Sequence, residues 1–204
     1  MNYEDFNITI EFLEPMLGTV PKNPDVYAKF IADKTKNLED AKEEIKTVQS
    51  EEATGWTGFH SDDNGIFIYN YMIKGFVKAS IETLTANKTI KKIPAYKKWV
   101  DRMVHVRPRC VYFNLSEPDG YIERPIRVNT PKGERVSVVR SDTVNPGRQI
   151  SFTVRLLTSD KNITKETIEA VFCEGGEYGG LGQWRGSGGY GCFKVVTFDQ
   201  VVVK

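Results

Sequence analysis

Polar and apolar residues alternate near the start of the chain. In the segment NITIEF, Ile8, Ile10 and Phe12 are separated by single polar residues, which predicts a strand with one buried face. Pro15, Gly18 and Pro21 then end the strand pattern. From Pro24 onward apolar residues recur at steps of three and four, a spacing that predicts helices with a thin apolar stripe.

The later part of the chain alternates between strand-like and helix-like patterns. A polar segment from Gly55 to Gly65 is predicted as a loop. The elements predicted after it are, in order, a strand at 66–71, a helix at 73–84, a strand at 104–115 interrupted at Pro108, a hairpin of 122–129 and 134–139, a strand at 150–157, a helix capped by Thr164, and a strand at 193–203.

This order predicts an α+β protein. It matches the βαββαβ antiparallel sheet of the ferredoxin-like (RRM-like) fold, with insertions and a C-terminal glycine-rich loop. We predict one domain over 1–204, with an acidic helical insertion at about 23–55 and a basic β-hairpin insertion at about 120–141. Helices on one face of such a sheet leave the other face open, and RNA-recognition domains stack bases on that face.

The segment from Gly175 to Gly191 has an extreme composition. Nine of its seventeen residues are glycine, and we predict a bare-backbone loop that approaches a phosphate or another nucleic-acid surface. A flexible linker is the alternative. Trp184 and Tyr190 offer rings that stack on bases or, alternatively, anchor the loop in the core.

Charge is distributed unevenly although the net charge is only +1. Residues 1–55 carry twelve acidic and six basic side chains, whereas 88–155 carry fifteen basic and six acidic ones. This basic middle favours a polyanionic partner; the alternative is that its arginines pair with acids of the N-terminal half. Four arginines on or beside the predicted hairpin are candidates for positioning a nucleic acid, and the strand alternation does not require them to share a face: Arg124, Arg127, Arg135 and Arg140.

Three segments together resemble the RAMP superfamily, the RNA-binding backbone subunits and processing enzymes of CRISPR effector complexes. They are YMIKGFVK at 71–78, DTVNPGRQISF at 142–152, and GGLGQWR with GGYGCF at 179–193. The chain also resembles phage-encoded proteins of similar length. It departs from the family in its acidic N-terminal helix and has no obvious thumb-like insertion.

The resemblance implies a role for specific residues. In the family the glycine-rich loop lies against RNA backbone and the Lys-Gly segment presents basic side chains to it. At the matching positions of this chain, the resemblance implicates Lys74, Lys78, Gly182, Arg185, Gly189 and Gly191. The implied partner is RNA or another single-stranded nucleic acid, with a homo-oligomer or a defence-complex protein as a further possible partner.

Some proteins of this superfamily cut RNA without metal, using a histidine. The chain has two histidines: His60, predicted to lie in a polar loop where Asp62 orients it or in an ordinary surface turn, and His105, predicted to be structural. We find no cofactor motif and no metal-ligand spacing, and three cysteines without CxxC spacing favour a reducing, cytoplasmic setting (the host cytoplasm for a phage protein). No apolar run reaches the length of a membrane span, and we expect no membrane partner.

The favoured function is therefore non-catalytic RNA binding, and the sequence favours a binding protein over an enzyme. The alternative is a phage protein-interaction or assembly factor, including an anti-defence mimic of a CRISPR subunit. The third hypothesis is a metal-independent endoribonuclease that uses His60.

Overall fold

The computed structural model describes residues 2–23, 28, 55–130, 133–158 and 162–201. The predicted acidic helical region falls almost entirely outside these residues. The strands are β1 (Tyr3–Phe12), β2 (Met16–Leu17), β3 (Val20–Pro21), β4 (Trp56–Gly58), β5 (His60–Asp62), β6 (Gly65–Tyr69), β7 (Val104–Arg107), β8 (Cys110–Tyr112), β9 (Gly120–Thr130), β10 (Gly133–Val144), β11 (Gln149–Leu157) and β12 (Phe193–Val201). The helices are α1 (Asn70–Ala86), α2 (Tyr96–Met103) and α3 (Lys165–Tyr178), with a short 3₁₀ turn at Gly186–Gly188.

The chain divides into two compact units. The first, here the ferredoxin unit, comprises Met1–Met16, Ile68–Phe113 and Asn145–Lys204. The second, here the insert unit, comprises Leu17–Phe67 and Asn114–Val144. Both segments of the insert unit are therefore interruptions of the first unit's sequence.

The ferredoxin unit contains a four-stranded antiparallel sheet in the order β12-β1-β11-β7. Numbered along the unit's own βαββαβ sequence, this order is 4-1-3-2, which is the ferredoxin-like arrangement. The predicted α+β fold is confirmed. Thr164 caps α3 as expected, because its hydroxyl oxygen accepts a hydrogen bond from the Thr167 amide.

One face of this sheet packs against α1 and α3 through the apolar positions that the alternation marked in β1. Phe6, Ile8, Ile10 and Phe12 are all buried. Aromatic rings from both helices and from β12 join the same core: the Phe76 ring centroid lies 5.6 Å from that of Phe172 and 5.1 Å from that of Phe193. Burial of this apolar surface is the main stabilisation of the unit.

The insert unit is built around the hairpin of β9 and β10. The two strands pair from Thr130↔Gly133 to Gly120↔Thr143, so the hairpin is longer at both ends than its alternation predicted. β10 also pairs in parallel with β4, which pairs with β3. The segment from Gly55 to Gly65 was predicted as a loop; this was wrong, because it contributes β4 and β5.

Helix α2 was also absent from the sequence-based prediction. Its sequence, YKKWVDRM, offers a single buried residue, Val100. Its apolar residues Tyr96, Trp99, Val100 and Met103 do recur at helical steps of three and four, but this stripe spans only eight residues and was not predicted as a helix. No helix in the described part of the chain combines the length and apolarity that crossing a membrane requires.

Candidate functional site

The glycine-rich segment is partly helical. Helix α3 continues through Gly175 and Gly176 to Tyr178, so the prediction of a loop beginning at Gly175 was wrong for its first four residues. A Cβ at Gly175 would lie 2.7 Å from the Ser80 side chain of α1, and one at Gly176 would lie 2.5 Å from the Phe193 ring. These two glycines therefore allow α3 to approach α1 and β12 closely.

The rest of the segment folds back on itself. The Leu181 amide donates to the Gly191 carbonyl at 2.9 Å, and the Gly191 amide donates to the Pro15 carbonyl at 2.9 Å. Gly191 has φ of +69°, and any Cβ there would overlap the Leu181 carbonyl oxygen. Leu181 itself is buried. These contacts do not fit a flexible linker, because they hold both ends of the loop against the ferredoxin unit.

The fixed loop presents a tryptophan and an arginine to solvent. Trp184 has φ of +57°, a backbone conformation that residues other than glycine rarely adopt. The residue is 47% exposed. Arg185 is exposed as well, and its guanidinium forms no ion pair or hydrogen bond with any described residue. Gly182 and Gly189 also have positive φ, at +90° and +72°. Tyr190 is half-buried at the base of the loop.

Lys74 and Lys78 are held by one acidic side chain. The Lys78 Nζ lies 2.7 Å from Oδ1 of Asp101 in α2, and the Lys74 Nζ lies 3.8 Å from the same oxygen while donating to the Asp101 carbonyl at 2.9 Å. Burial lowers the pKa of Lys74, an effect that Asp101 opposes. Through these contacts with Asp101, the two lysines connect α1 to α2.

The lysines and the glycine-rich loop lie on different sides of α1. Ser80 and Thr83 line a pocket together with Arg185. At about 3.6 residues per turn, these two positions lie roughly opposite Lys74 and Lys78 on the helix. The structure therefore does not bring the two groups of implicated residues together into one site.

The open face of the ferredoxin sheet is polar and internally hydrogen-bonded. Asp5 accepts two hydrogen bonds of 2.8 Å from Arg155, which lower the pKa of Asp5. Further along, Thr153 donates to Asn7 at 2.8 Å, and Glu11 contacts both Gln149 and Lys194 at 2.7 Å. RNA-recognition domains stack bases on aromatic rings of this face, whereas these polar side chains are hydrogen-bonded to one another.

The hairpin arginines do not share one face. In the β9–β10 register Arg127 pairs with Val136 and Arg140 with Glu123, whereas Arg124 pairs with Val139, so Arg124 points to the other face. Arg127 lies 3.8 Å from Glu134. The Arg135 backbone belongs to β10, but its side chain lies outside the described residues.

Arg140 belongs to an aromatic cluster that the sequence did not reveal. Its guanidinium carbon lies 3.9 Å from the Trp56 ring centroid and 3.3 Å from that of Tyr121. Trp56 Nε1 donates to Oδ1 of Asp142 at 2.7 Å, and Oδ2 of Asp142 lies 2.9 Å from the Lys22 ammonium. Trp56 and Asp142 are 86 positions apart, so no local pattern signals the cluster.

His60 is a buried core residue. It lies in β5 with only 1% of its surface exposed, and its ring stacks on Phe67 at a centroid distance of 5.7 Å. Burial lowers its pKa to about 4. Its prediction as a residue of a polar loop or surface turn was wrong. Asp62 accepts the turn hydrogen bond of the Asn64 amide. A buried, neutral imidazole does not suit general acid-base catalysis on RNA.

This burial predicts a pH dependence of stability. Because the folded-state pKa of about 4 is below the ordinary value of 6.5, the unfolded chain binds more protons between these values. The stabilisation is complete above pH 6.5 and is lost as pH falls towards 4. Between pH 7 and pH 5 we expect this histidine to cost the wild type about 2 kcal/mol of unfolding free energy. His60→Phe should not show this loss. Urea denaturation at the two pH values measures it. Parallel pH profiles of the two proteins would contradict this burial.

Comparisons with known proteins bear on the fold. No protein-family model matches the chain, and a search of curated proteins finds no match. Among solved structures, the chain is similar to a chain in a cryo-EM structure of the type III-B Cmr-beta bound to cognate target RNA, with a TM-score of 0.52 and 14% sequence identity. The match covers 98% of this chain and 61% of that one. At this identity the likeness supports the architecture alone, an α+β fold like that of the matched chain.

Proposed function

We propose that this protein binds a single RNA strand through the loop that follows α3, without cleaving it. One observation carries the proposal: Arg185 stands exposed beside Trp184 on a loop whose ends are fixed, and no described residue neutralises its charge. An arginine pairs well with phosphate because its planar fork donates two parallel hydrogen bonds. A neighbouring indole ring provides a stacking surface that accepts any base.

The other basic candidates are less suited to first contact with RNA. Lys74 and Lys78 already share Asp101, Arg140 lies between two rings, and Arg155 is paired with Asp5. Each would have to exchange an existing partner for a phosphate, which reduces the net gain in free energy. The likeness to a chain of an RNA-bound CRISPR complex supports RNA as the ligand class.

The test is salt-dependent binding of a labelled single-stranded RNA, measured by fluorescence anisotropy. We expect Arg185→Ala to weaken binding about tenfold and to lower the salt slope by about 0.7, the contribution of one phosphate contact on a single strand. Trp184→Ala should weaken binding about tenfold through lost stacking, with no change in slope.

Two matched variants control for charge. Arg102→Ala removes one exposed positive charge from α2, and Lys74→Ala removes one from the lysine pair on α1. Both are expected to change affinity less than Arg185→Ala. A site at the loop would be refuted if the RNA affinity did not depend on salt concentration. It would also be refuted if Arg185→Ala, Arg102→Ala and Lys74→Ala lowered the affinity equally.

A second candidate function is protein binding, which is favoured by exposed apolar side chains on the hairpin of the insert unit. Val136 and Val138 are 68% and 61% exposed, and the register places them on the same hairpin face as Tyr121. Exposed apolar side chains on one face are typical of protein-binding surfaces. A phage protein that occupies the place of a CRISPR subunit would use such a surface. A stable complex with a defence protein, together with no RNA binding, would favour this function.

A further inference from the structure

A pocket formed by described residues lies beside the glycine-rich loop. It has a volume of about 670 Å³ and is formed between α1, α3 and the start of the loop, all within the ferredoxin unit. Phe76, Ala79 and Leu84 supply apolar lining from α1. This volume falls within the range of about 300–1,000 Å³ that is usual for small-ligand pockets.

The pocket has an aromatic and a cationic side. Tyr178, the last residue of α3, lines it and is 72% exposed, so its ring face is open to a ligand. Arg185 lines the same pocket without a counter-ion among the described residues. An exposed ring near an unpaired guanidinium matches a ligand that carries both an aromatic plane and a phosphate.

Two further polar residues line the pocket, Ser80 and Glu174. The Ser80 hydroxyl is buried, has no hydrogen-bond partner among the described residues, and belongs to a residue that lines this pocket. This hydroxyl faces Gly175 of α3, where a Cβ would lie 2.7 Å from it, so it marks the close contact of the two helices at the bottom of the pocket. The carboxylate of Glu174, one turn before Tyr178 on α3, provides an acceptor for an amino group.

We propose that this pocket binds one nucleotide unit, with the base between α1 and α3 and its phosphate at Arg185. The inference rests on the proposed function insofar as the unit is supplied by a bound RNA strand. A free nucleotide has the same chemistry and is the other source. In both cases Arg185 holds the phosphate while the apolar lining and Tyr178 hold the base.

The experiment uses the full chain with adenosine and adenosine 5′-monophosphate as probes, at millimolar concentration, followed by saturation-transfer NMR and titration. Wild type is expected to bind both, the monophosphate more tightly. Arg185→Ala should weaken the binding of the monophosphate about tenfold and leave the binding of adenosine unchanged, because only the phosphate contacts the guanidinium. Ala79→Phe fills the pocket and should abolish the binding of both probes.

A bulky substitution elsewhere on α1 is the matched control. Glu82→Phe introduces the same ring at an exposed position that does not line the pocket, losing one exposed hydrogen bond with Tyr96. Glu82→Phe should bind both probes as wild type does. The melting temperatures of Glu82→Phe and Ala79→Phe establish that both variants fold. Absence of saturation transfer in wild type, or equal weakening by Glu82→Phe and Ala79→Phe, would overturn the inference.

RNA binding measured on the same preparations separates the two proposals. RNA binding without nucleotide binding would retain the proposed function and overturn the pocket. Nucleotide binding without RNA binding would retain the pocket, with a free nucleotide as its source, and overturn the proposed function. Loss of RNA affinity in Ala79→Phe, but not in Glu82→Phe, would assign the pocket to a base of the strand.

Discussion

Replacing Gly191 with alanine is expected to destabilise the protein by about 4 kcal/mol and to lower its melting temperature by about 10 °C. Two effects add. The residue has φ of +69°, where a Cβ is strained, and the new methyl group would overlap the Leu181 carbonyl oxygen. That carbonyl is backbone and cannot rotate away, so the loop must separate from its partner segment. Thermal unfolding followed by circular dichroism measures the change.

Gly189→Ala is the matched control for this prediction. Gly189 has nearly the same φ, +72°, but no atom lies within 4 Å of the position its Cβ would take. Only the backbone strain applies, and we expect a loss of about 1 kcal/mol. The difference between the two variants isolates the close approach. Equal destabilisation would mean that the loop is not closed by the Leu181–Gly191 contact.

Replacing Asp142 with alanine is expected to cost about 3–5 kcal/mol of unfolding free energy. The Asp142 and Lys22 side chains are only 4% and 7% exposed, so the substitution leaves a buried ammonium without its counter-ion. It also removes the acceptor of the 2.7 Å hydrogen bond from Trp56. The loss is measured by urea denaturation at neutral pH.

A double variant tests whether the cost arises from the unpaired charge. Asp142→Asn retains an oxygen for Trp56, and Lys22→Met replaces the ammonium, which lies 4.1 Å from the Trp56 ring centroid, by an uncharged chain of similar length. Together they remove both charges, and we expect the pair to cost less than about 1.5 kcal/mol. A double variant as unstable as Asp142→Ala would show that shape, not charge, governs this cluster.

The ferredoxin-like fold could be predicted because its signals are local. The alternation of Ile8, Ile10 and Phe12 marks a strand with one buried face, and the hydroxyl of Thr164 marks a helix start. Their order along the chain then limits the topology, since βαββαβ units close into few sheet arrangements. Helix α2 was not predicted although its apolar residues recur at helical steps, because a pattern of only eight residues is a weak signal.

The candidate site was only partly predictable for a related reason. Trp184 and Arg185 stood out because large side chains are unusual within a glycine-rich segment. The pairing of Lys74 and Lys78 with Asp101 was not anticipated, because Asp101 lies in α2, a short helix that was not predicted. The position of Arg140 between two rings could not be anticipated either, because Trp56 and Tyr121 belong to separate strands of the insert unit.

By itself, the sequence determined the class of fold, the order of its elements and the position of the glycine-rich loop, because periodicity and glycine content are local properties of the chain. Only the tertiary structure decided which charges remain available. It buried His60, paired the lysines of α1, covered the sheet face with hydrogen bonds and left Arg185 without a partner among the described residues. Pairing and burial depend on contacts between distant residues, and these contacts are defined only when the chain is folded.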